Sequence, residues 1–162
     1  MLTRRGRAPG YGRAAPTFRT PSTNGELRGR MLLHSITKSV SIQAPPEAVF
    51  LFLADARNWP RWAVVNVLSV QPGGGDWWSM ETPAGRAQLR LRPHAESGTI
   101  DHDFEAPDAK WTVPARVVPN GSGSEFIITF FQPPGFTREF FESQAALVDR
   151  ELTELKRVME SG

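Results

Sequence analysis

The chain contains no cysteine. Disulfide bonds, thiol nucleophiles and zinc sites built on sulfur are therefore excluded, and a reducing compartment such as the cytoplasm is the simplest location. No apolar run approaches the roughly 20 residues that a membrane-spanning helix needs. We therefore predict a soluble, cytoplasmic protein without a membrane span.

Acidic residues are nearly missing from the first thirty positions, which hold seven arginines against the single residue Glu26. This segment shows no hydrophobic periodicity, which predicts a disordered basic tail over residues 1–30. A targeting peptide, a basic arm for nucleic acid or acidic lipid, and upstream sequence before a true start at Met31 all fit this composition. Residues 31–162 keep twelve basic and sixteen acidic groups. The predicted domain over 31–162 is therefore mildly acidic, which argues against nucleic acid as a partner.

Motifs for phosphate binding, hydrolysis and metal binding are also lacking. Gly73-Gly74-Gly75 is not followed by the Lys-Ser/Thr of a phosphate-binding loop, and Gly121-Ser122-Gly123 lacks the spacing of a nucleophile elbow. Asp101-His102-Asp103 is the one dense group of potential metal ligands. On a strand, its two aspartates would point to one side and His102 to the other. We therefore predict no metal site and no cofactor.

A long stretch free of proline and glycine begins after Pro133-Pro134-Gly135 and runs to the penultimate residue. Thr137 is a suitable N-cap at its start. Apolar residues recur along it at the three-and-four spacing of one helix face, namely Phe141, Ala145, Val148, Leu152, Leu155 and Met159. The pattern predicts a long C-terminal helix with one buried face.

Alternating residues and turn signals before this helix predict an antiparallel meander of about seven strands. The first strand spans residues 34–42 and is followed by a helix that opens at Pro46 and breaks between Asp55 and Pro60, which gives two short helices. The other predicted strands are 63–70, 77–82, 87–92, 99–104, 111–118 and 124–131.

The last predicted hairpin can be described by its two faces. If its turn pairs Pro119 with Ser124, one face is entirely apolar and suits the long helix. That face carries Trp111, Val113, Ala115, Val117, Phe126, Ile128 and Phe130. The other face is mixed and places Arg116 diagonally near Glu125, where the two would form an exposed ion pair or, if this face lined a cavity, a polar anchor for a ligand.

Five short segments of the domain carry a family resemblance: residues 36–42 (ITKSVSI), 44–50 (APPEAVF), 53–55 (LAD), 58–62 (NWPRW) and 151–156 (ELTELK). They resemble the opening and the last helix of proteins in the START/SRPBCC superfamily, in its polyketide cyclase/dehydrase-like branch. The resemblance implies the α+β helix-grip fold, in which a curved antiparallel sheet wraps around a long C-terminal helix. It also implies a cavity between sheet and helix for a hydrophobic or aromatic small molecule.

Within that fold, the candidate ligand-binding residues are those expected to face the cavity. They are Trp78, Met80, His102, Trp111, Val113, Phe126, Ile128, Phe141 and Val148. His102 is either a hydrogen-bonded core residue or a titratable group presented to a ligand.

Three functions fit the sequence. The first is binding of a small hydrophobic or aromatic molecule in the cavity. The second is a cyclase, dehydratase or isomerase that uses His102 as acid or base and Arg116 to stabilise an oxyanion, which requires both side chains to point into one cavity. The third is a surface interaction module with a filled pocket, which would form a homodimer through its sheet. The sequence leaves open whether the protein is an enzyme.

Overall fold

The computed structural model describes residues 32–107 and 109–162. The predicted tail over residues 1–30 and the start at Met31 lie outside these residues. The described chain forms, in order, β1 (Ser35–Ile42), α1 (Pro46–Leu53), a 3₁₀ helix (Ala56–Arg61), β2 (Ser69–Gly74), β3 (Trp77–Thr82), β4 (Gly85–His94), a second 3₁₀ helix (Ala95–Ser97), β5 (Thr99–Ala106), β6 (Ala109–Val113), β7 (Ala115–Asn120), β8 (Gly123–Phe131) and α2 (Arg138–Glu160).

The strands form one curved antiparallel sheet in the order β1-β8-β7-β5-β4-β3-β2, with β6 paired to β5 beside this path. Pairing of β1 with β8 brings the first strand beside the last, and β5 pairs with both β6 and β7. The long helix α2 covers the inner face of the sheet. The predicted α+β helix-grip fold is therefore confirmed.

The helix α2 begins where its cap was predicted. The hydroxyl of Thr137 accepts a hydrogen bond from the backbone N–H of Phe140 at 3.2 Å, which satisfies one of the free donors of the first turn. Five of the six predicted stripe residues are buried and Met159 is partly buried. Burial of this stripe against the sheet is what holds the helix, since most helical stability in proteins comes from packing of an amphipathic face.

The sheet has eight strands where about seven were predicted, because residues 111–118 do not form a single strand. Pro114 has no N–H to donate and separates β6 from β7. The free N–H of the next residue, Ala115, is satisfied by the carboxylate of Asp101 at 3.0 Å. The neighbouring strand thus supplies a side-chain acceptor where the backbone ladder is interrupted.

The strand predicted over residues 63–70 is largely wrong, since β2 begins only at Ser69 and residues before it form turns. Two backbone donors of these turns, the N–H groups of Val65 and Asn66, bond to the Glu151 carboxylate on α2. A remote side chain therefore supplies the acceptor that a neighbouring strand would otherwise provide.

The register of the β7–β8 hairpin is the predicted one, with Pro119 opposite Ser124. Its inner face is buried, but the ion pair predicted on its outer face is not formed. The Arg116 guanidinium donates instead to the carbonyl of Ser97 at 2.9 and 3.2 Å. Glu125 accepts hydrogen bonds from the side chains of Ser41 and Asn120.

A line of polar contacts, which we call the β1–α2 seam, joins the first strand to the last helix. Lys38 Nζ lies 2.6 and 2.7 Å from the two carboxylate oxygens of Asp149. Lys156 Nζ donates to the carbonyl of Ser41 at 2.7 Å. The backbone N–H of Gln43 donates to Glu160 at 2.7 Å. These contacts fix the position of α2 along one side of the sheet.

Candidate ligand site

Four apolar side chains lie in one row across the inner face of the sheet, on adjacent strands. Strand register places Trp78 of β3 opposite Leu89 of β4, Leu89 opposite Phe104 of β5, and Phe104 opposite Trp111 of β6. We call this set the aromatic row. Leu89 is fully buried, whereas the three aromatic residues are only partly buried. The inner face therefore keeps accessible ring surface at this position.

Aromatic contacts continue from this row to the beginning of α2. The rings of Phe104 and Trp111 are stacked, with centroids 4.5 Å apart. Trp111 makes an edge contact with Phe136, and Phe136 makes another with Phe140 at 4.9 Å. Phe140 is 48% exposed. The aromatic surface thus reaches solvent where the β5–β6 hairpin meets the start of the helix.

A second group, the indole cluster, lies deeper and consists of Trp59, Trp62, His102 and Phe126. The Trp59 ring makes edge contacts with Trp62 and His102 at centroid distances of 5.1 and 4.9 Å. Trp62 contacts Phe126 at 6.1 Å. Trp59 Nε1 donates to the carbonyl of Leu53 at 3.0 Å. Trp62 Nε1 is buried and has no hydrogen-bond partner among the described residues.

His102 is held in one tautomer by its neighbours. Its Nδ1 lies 3.2 Å from the carbonyl oxygen of Ile100, and a carbonyl can only accept, so Nδ1 carries the proton of the neutral ring. Burial lowers the pKa of His102 to about 4. The ring is therefore neutral at pH 7, with the lone pair on Nε2, and it offers no positive charge to a ligand.

Glu151 is a buried carboxylate that the sequence analysis missed. It is 4% exposed, and its Oε1 accepts from the N–H groups of Val65 and Asn66 and from the Asn66 side chain at 2.9–3.1 Å. Burial raises the pKa of Glu151 although these hydrogen bonds oppose the shift. Its spacing of three after Val148 and four before Leu155 places it on the buried stripe, which is the signal that could have revealed it.

The outer face of the sheet carries a separate polar network. Asp103 accepts from Arg90 at 2.8 Å, from Arg92 at 3.1 Å and from Thr112 at 2.6 Å. Burial opposes the shift, but the hydrogen bonds from Thr112 and Arg90 hold the pKa of Asp103 below its ordinary value. The Arg90 guanidinium also lies 4.8 Å from the centre of the Trp77 ring. The charged groups of this network pair with one another on the outer face, and the inner face of these strands is mainly apolar.

The predicted ligand-binding residues occupy the surfaces that enclose the interior. The inner face of the sheet carries Trp78, Met80, His102, Trp111, Val113, Phe126 and Ile128, and the buried side of α2 carries Phe141 and Val148. Their role toward a ligand stays a prediction. The proposed catalytic pair is corrected, because His102 is buried on the inner face whereas Arg116, one strand position from buried Ala115 and Val117, is exposed on the outer face.

Two clefts are prominent in the described part of the chain. One, of about 610 Å³, lies between α1, the turn before β5 and β7, with Phe50, Leu51 and Arg116 among its walls. The other, of about 390 Å³, lies along β5 and β6, where Phe104 and Trp111 of the aromatic row adjoin polar side chains of the outer face, namely Arg90, Asp103, Glu105, Lys110 and Thr112. Neither of these two clefts lies between α2 and the centre of the sheet, where the sequence predicted a cavity. The second cleft brings solvent to the aromatic row.

The described residues also limit other chemistry. Residues 32–107 and 109–162 contain no group of three or more His, Asp or Glu side chains placed to hold a metal ion. A helix long and apolar enough to cross a membrane is likewise absent from these ranges.

Solved structures share this fold at low sequence identity. A START superfamily protein from Mycobacterium smegmatis is 12% identical with a TM-score of 0.63, over 78% of this chain and 97% of that protein. The Aha1 dimer from Colwellia psychrerythraea is 15% identical with a TM-score of 0.64, over 79% and 97%. The di-domain ARO/CYC protein BexL from the BE-7585A biosynthetic pathway is 18% identical with a TM-score of 0.61, over 77% and 46%. A homodimer of the present chain stays a prediction.

Sequence comparison gives the family directly. No functionally curated protein matches the chain. The family model described as polyketide cyclase / dehydrase and lipid transport matches residues 34–160, which is nearly all of the predicted domain. The suspected START/SRPBCC relationship is thereby confirmed, and the chain belongs to the polyketide cyclase / dehydrase and lipid transport family.

Proposed function

We propose that this protein binds a small, mostly apolar molecule with a flat ring system on the inner face of its sheet. The observation that carries the proposal is the aromatic row, in which Trp78, Phe104 and Trp111 remain partly exposed beside a packed core. Large rings that stay accessible on a concave apolar surface are the usual lining of a small-molecule site. The family description and the ARO/CYC protein BexL support ligands of this kind.

The cyclase-type alternative has less support. Its predicted oxyanion group, Arg116, lies on the outer face and bonds to Ser97, so it does not share a cavity with His102. A histidine with a pKa of about 4 is neutral at pH 7 but is a weak base, since general-base catalysis is most efficient when the pKa is near the working pH.

The interaction-module alternative also has less support. It predicts a filled interior together with an exposed apolar patch. The exposed large apolar residues of the described chain are instead distributed over several segments, namely Leu32 and Leu33 before β1, Leu51 of α1, Val64 and Leu68 of the turns, Phe131 of β8, and Phe140 and Leu147 of α2. Apolar residues exposed singly are ordinary on a protein surface.

Two adjacent tryptophans provide a matched test of the binding proposal. Trp78 lies in the aromatic row, whereas Trp77 lies on the outer face beside Arg90. We expect 2-ethylnaphthalene to bind the wild-type protein and the Trp78→Leu change to raise its Kd about tenfold or more, because stacking surface is lost. Trp77→Leu leaves the Kd within about twofold. Heteronuclear NMR titration measures the Kd of the wild-type protein and of the two variants. Absence of binding to the wild-type protein, or an equal rise of the Kd in the two variants, contradicts the proposal.

A further inference from the structure

The interior contains few polar side chains, and most of their hydrogen-bonding groups already have a partner within the protein. The buried polar side chains of the described chain are His102, Ser124 and Glu151. Ser124 donates to the carbonyl of Ala44 at 2.9 Å. Glu151 is engaged by the Val65–Asn66 turn, and His102 bonds to Ile100 through Nδ1. The free hydrogen-bonding capacity of these three side chains is therefore chiefly the lone pair on His102 Nε2, which can accept but not donate.

Two buried nitrogens, His34 Nε2 and Trp62 Nε1, have no hydrogen-bond partner among the described residues, and of these two residues only Trp62 is itself buried. Trp62 is 2% exposed. Most buried donors in proteins are paired, because leaving one without an acceptor destabilises the fold. The neighbouring Trp59 shows the ordinary outcome, since its Nε1 donates to the carbonyl of Leu53. An indole N–H can only donate, so the group that completes Trp62 has to be an acceptor.

The position of Trp62 connects this donor to the proposed ligand site. Trp62 contacts Trp59, and Trp59 contacts His102. His102 lies two positions from Phe104 on β5, so both side chains project from the same face of the strand. Trp62 is thus connected to the aromatic row through Trp59 and His102.

The charges around the interior disfavour an anion. Glu151 is the one buried carboxylate of the described chain, and no lysine or arginine there is buried. The most enclosed cation on the inner side, Lys38, lies within 2.7 Å of both oxygens of Asp149 and is already neutralised. His102 is uncharged at pH 7. A carboxylate placed in this interior would lose its hydration without gaining a counter-ion, which is strongly unfavourable.

We infer that the site selects uncharged ring compounds that carry a carbonyl or similar acceptor oxygen, to which Trp62 Nε1 donates, and that it rejects carboxylates of the same shape. This inference rests on the proposed function and adds the chemistry that distinguishes one ligand from another. An apolar ring supplies the contact with the aromatic row. The acceptor oxygen supplies the partner that the buried indole lacks.

Three naphthalenes of similar shape test the inference on the full-length protein. They are 2-acetylnaphthalene, which carries an acceptor, 2-ethylnaphthalene, which carries none, and 2-naphthoate, which is charged at pH 7. We expect the ketone to bind about fivefold to tenfold more tightly than the ethyl compound, as one hydrogen bond allows. We expect the carboxylate to bind at least about thirtyfold more weakly than the ketone.

The Trp62→Phe variant isolates the indole N–H while keeping an aromatic ring. In this variant the preference for the ketone over the ethyl compound should fall to about one, because both ligands lose the same ring contacts and only the ketone loses a donor. Trp77→Phe, on the outer face, should leave the preference unchanged. In nitrogen–proton correlation spectra, the indole signal that disappears in Trp62→Phe should move downfield with the ketone and not with the ethyl compound.

The outcomes separate the two proposals. If the ethyl compound binds but the ketone gains nothing, or if 2-naphthoate binds as tightly as the ketone, the inference about acceptor and charge is wrong while the proposed function stands. A ketone preference that survives in Trp62→Phe assigns the donor to another group and also overturns it. If none of the three compounds binds, both proposals fail together.

Discussion

At the scale of the single residue, His102 makes the stability of the domain depend on pH. Its pKa of about 4 in the folded state lies below the ordinary value of 6.5. The unfolded chain therefore binds a proton at this position between these two values while the folded chain does not. The contribution of His102 to stability is lost as the pH falls through this window and is constant above it, by linkage.

We expect the free energy of unfolding to fall by up to about 3 kcal/mol between pH 7 and pH 4 because of this one residue. His102→Asn keeps a donor for the carbonyl of Ile100 but cannot titrate, so its pH dependence should be smaller by that amount. Urea denaturation at several pH values measures this, and parallel curves for wild type and His102→Asn would show that the ring is not held neutral.

Glu151 acts in the opposite direction over part of the same range. Burial raises its pKa, so the folded state holds a proton more readily than the unfolded state. Its contribution is complete below the ordinary pKa of the carboxyl group and is lost as the pH rises through the raised value. The total pH dependence therefore contains two opposing parts, and only the difference between wild type and His102→Asn reports on the histidine.

At the scale of the element, the buried stripe of α2 determines how firmly the helix is held. Leu152 is 3% exposed, whereas Leu147 on the same helix is 39% exposed. Leu152→Ala should lower the free energy of unfolding by about 2–5 kcal/mol because it leaves a void in packed surroundings. Leu147→Ala should change it by no more than about 1 kcal/mol. Chemical denaturation ranks the two variants, and the reverse order would place the stripe on the solvent side.

Local patterns predicted those elements whose backbone bonds are local or follow strand alternation. The helix α2, the strand β3 and the β7–β8 register were readable because apolar spacing and turn residues specify them. The turns at residues 63–68 and the break between β6 and β7 at Pro114 could not be predicted from local patterns. Each depends on a distant carboxylate, Glu151 at a separation of 86 residues from Val65 and Asp101 at 14 residues from Ala115. No local sequence pattern predicts which distant carboxylate accepts these hydrogen bonds.

The same distinction applies to the candidate site, because local patterns predicted some of its features and not others. Strand alternation was enough to place Trp78 and Met80 on one face of their strand, and to place His102 on the face opposite Asp101 and Asp103. It could not show that Trp59 and Trp62 pack against His102, since that contact joins a 3₁₀ helix to a distant strand. The unpaired Trp62 N–H is a property of the assembled core, because it depends on which acceptors fail to reach it.

In the fold as a whole, the connection between β4 and β5 is hydrogen-bonded to β7 at Gly98. The carbonyl of Gly98 accepts from the N–H of Val117 at 2.8 Å, and Gly98 adopts a φ of +68°. A Cβ at this position would overlap the carbonyl oxygen of Val117. The connection between β4 and β5 can therefore approach β7 only with glycine at this position.

We expect Gly98→Ala to lower the free energy of unfolding by about 2–4 kcal/mol, since backbone strain and steric overlap add. Gly121→Ala is the matched control, because Gly121 has a φ of +58° but no atom within 4 Å of the point where a Cβ would lie. The Gly121→Ala variant therefore has backbone strain without steric overlap and should lower the free energy of unfolding by about 1 kcal/mol. Thermal and urea unfolding distinguish the two, and equal losses would mean that the strand contact at Gly98 is absent.

The β1–α2 seam also has a consequence for how copies of this protein meet. The free edge of β1 would otherwise be a template for strands of other molecules, but its Ser41 carbonyl and the adjoining Gln43 N–H are already bonded to Lys156 and Glu160. At the opposite edge of the sheet, Pro72 of β2 has no N–H to offer. Strand addition is thus opposed at Ser41 and Gln43 on one edge and at Pro72 on the other, because an incoming strand of another molecule could not complete its backbone ladder at these positions.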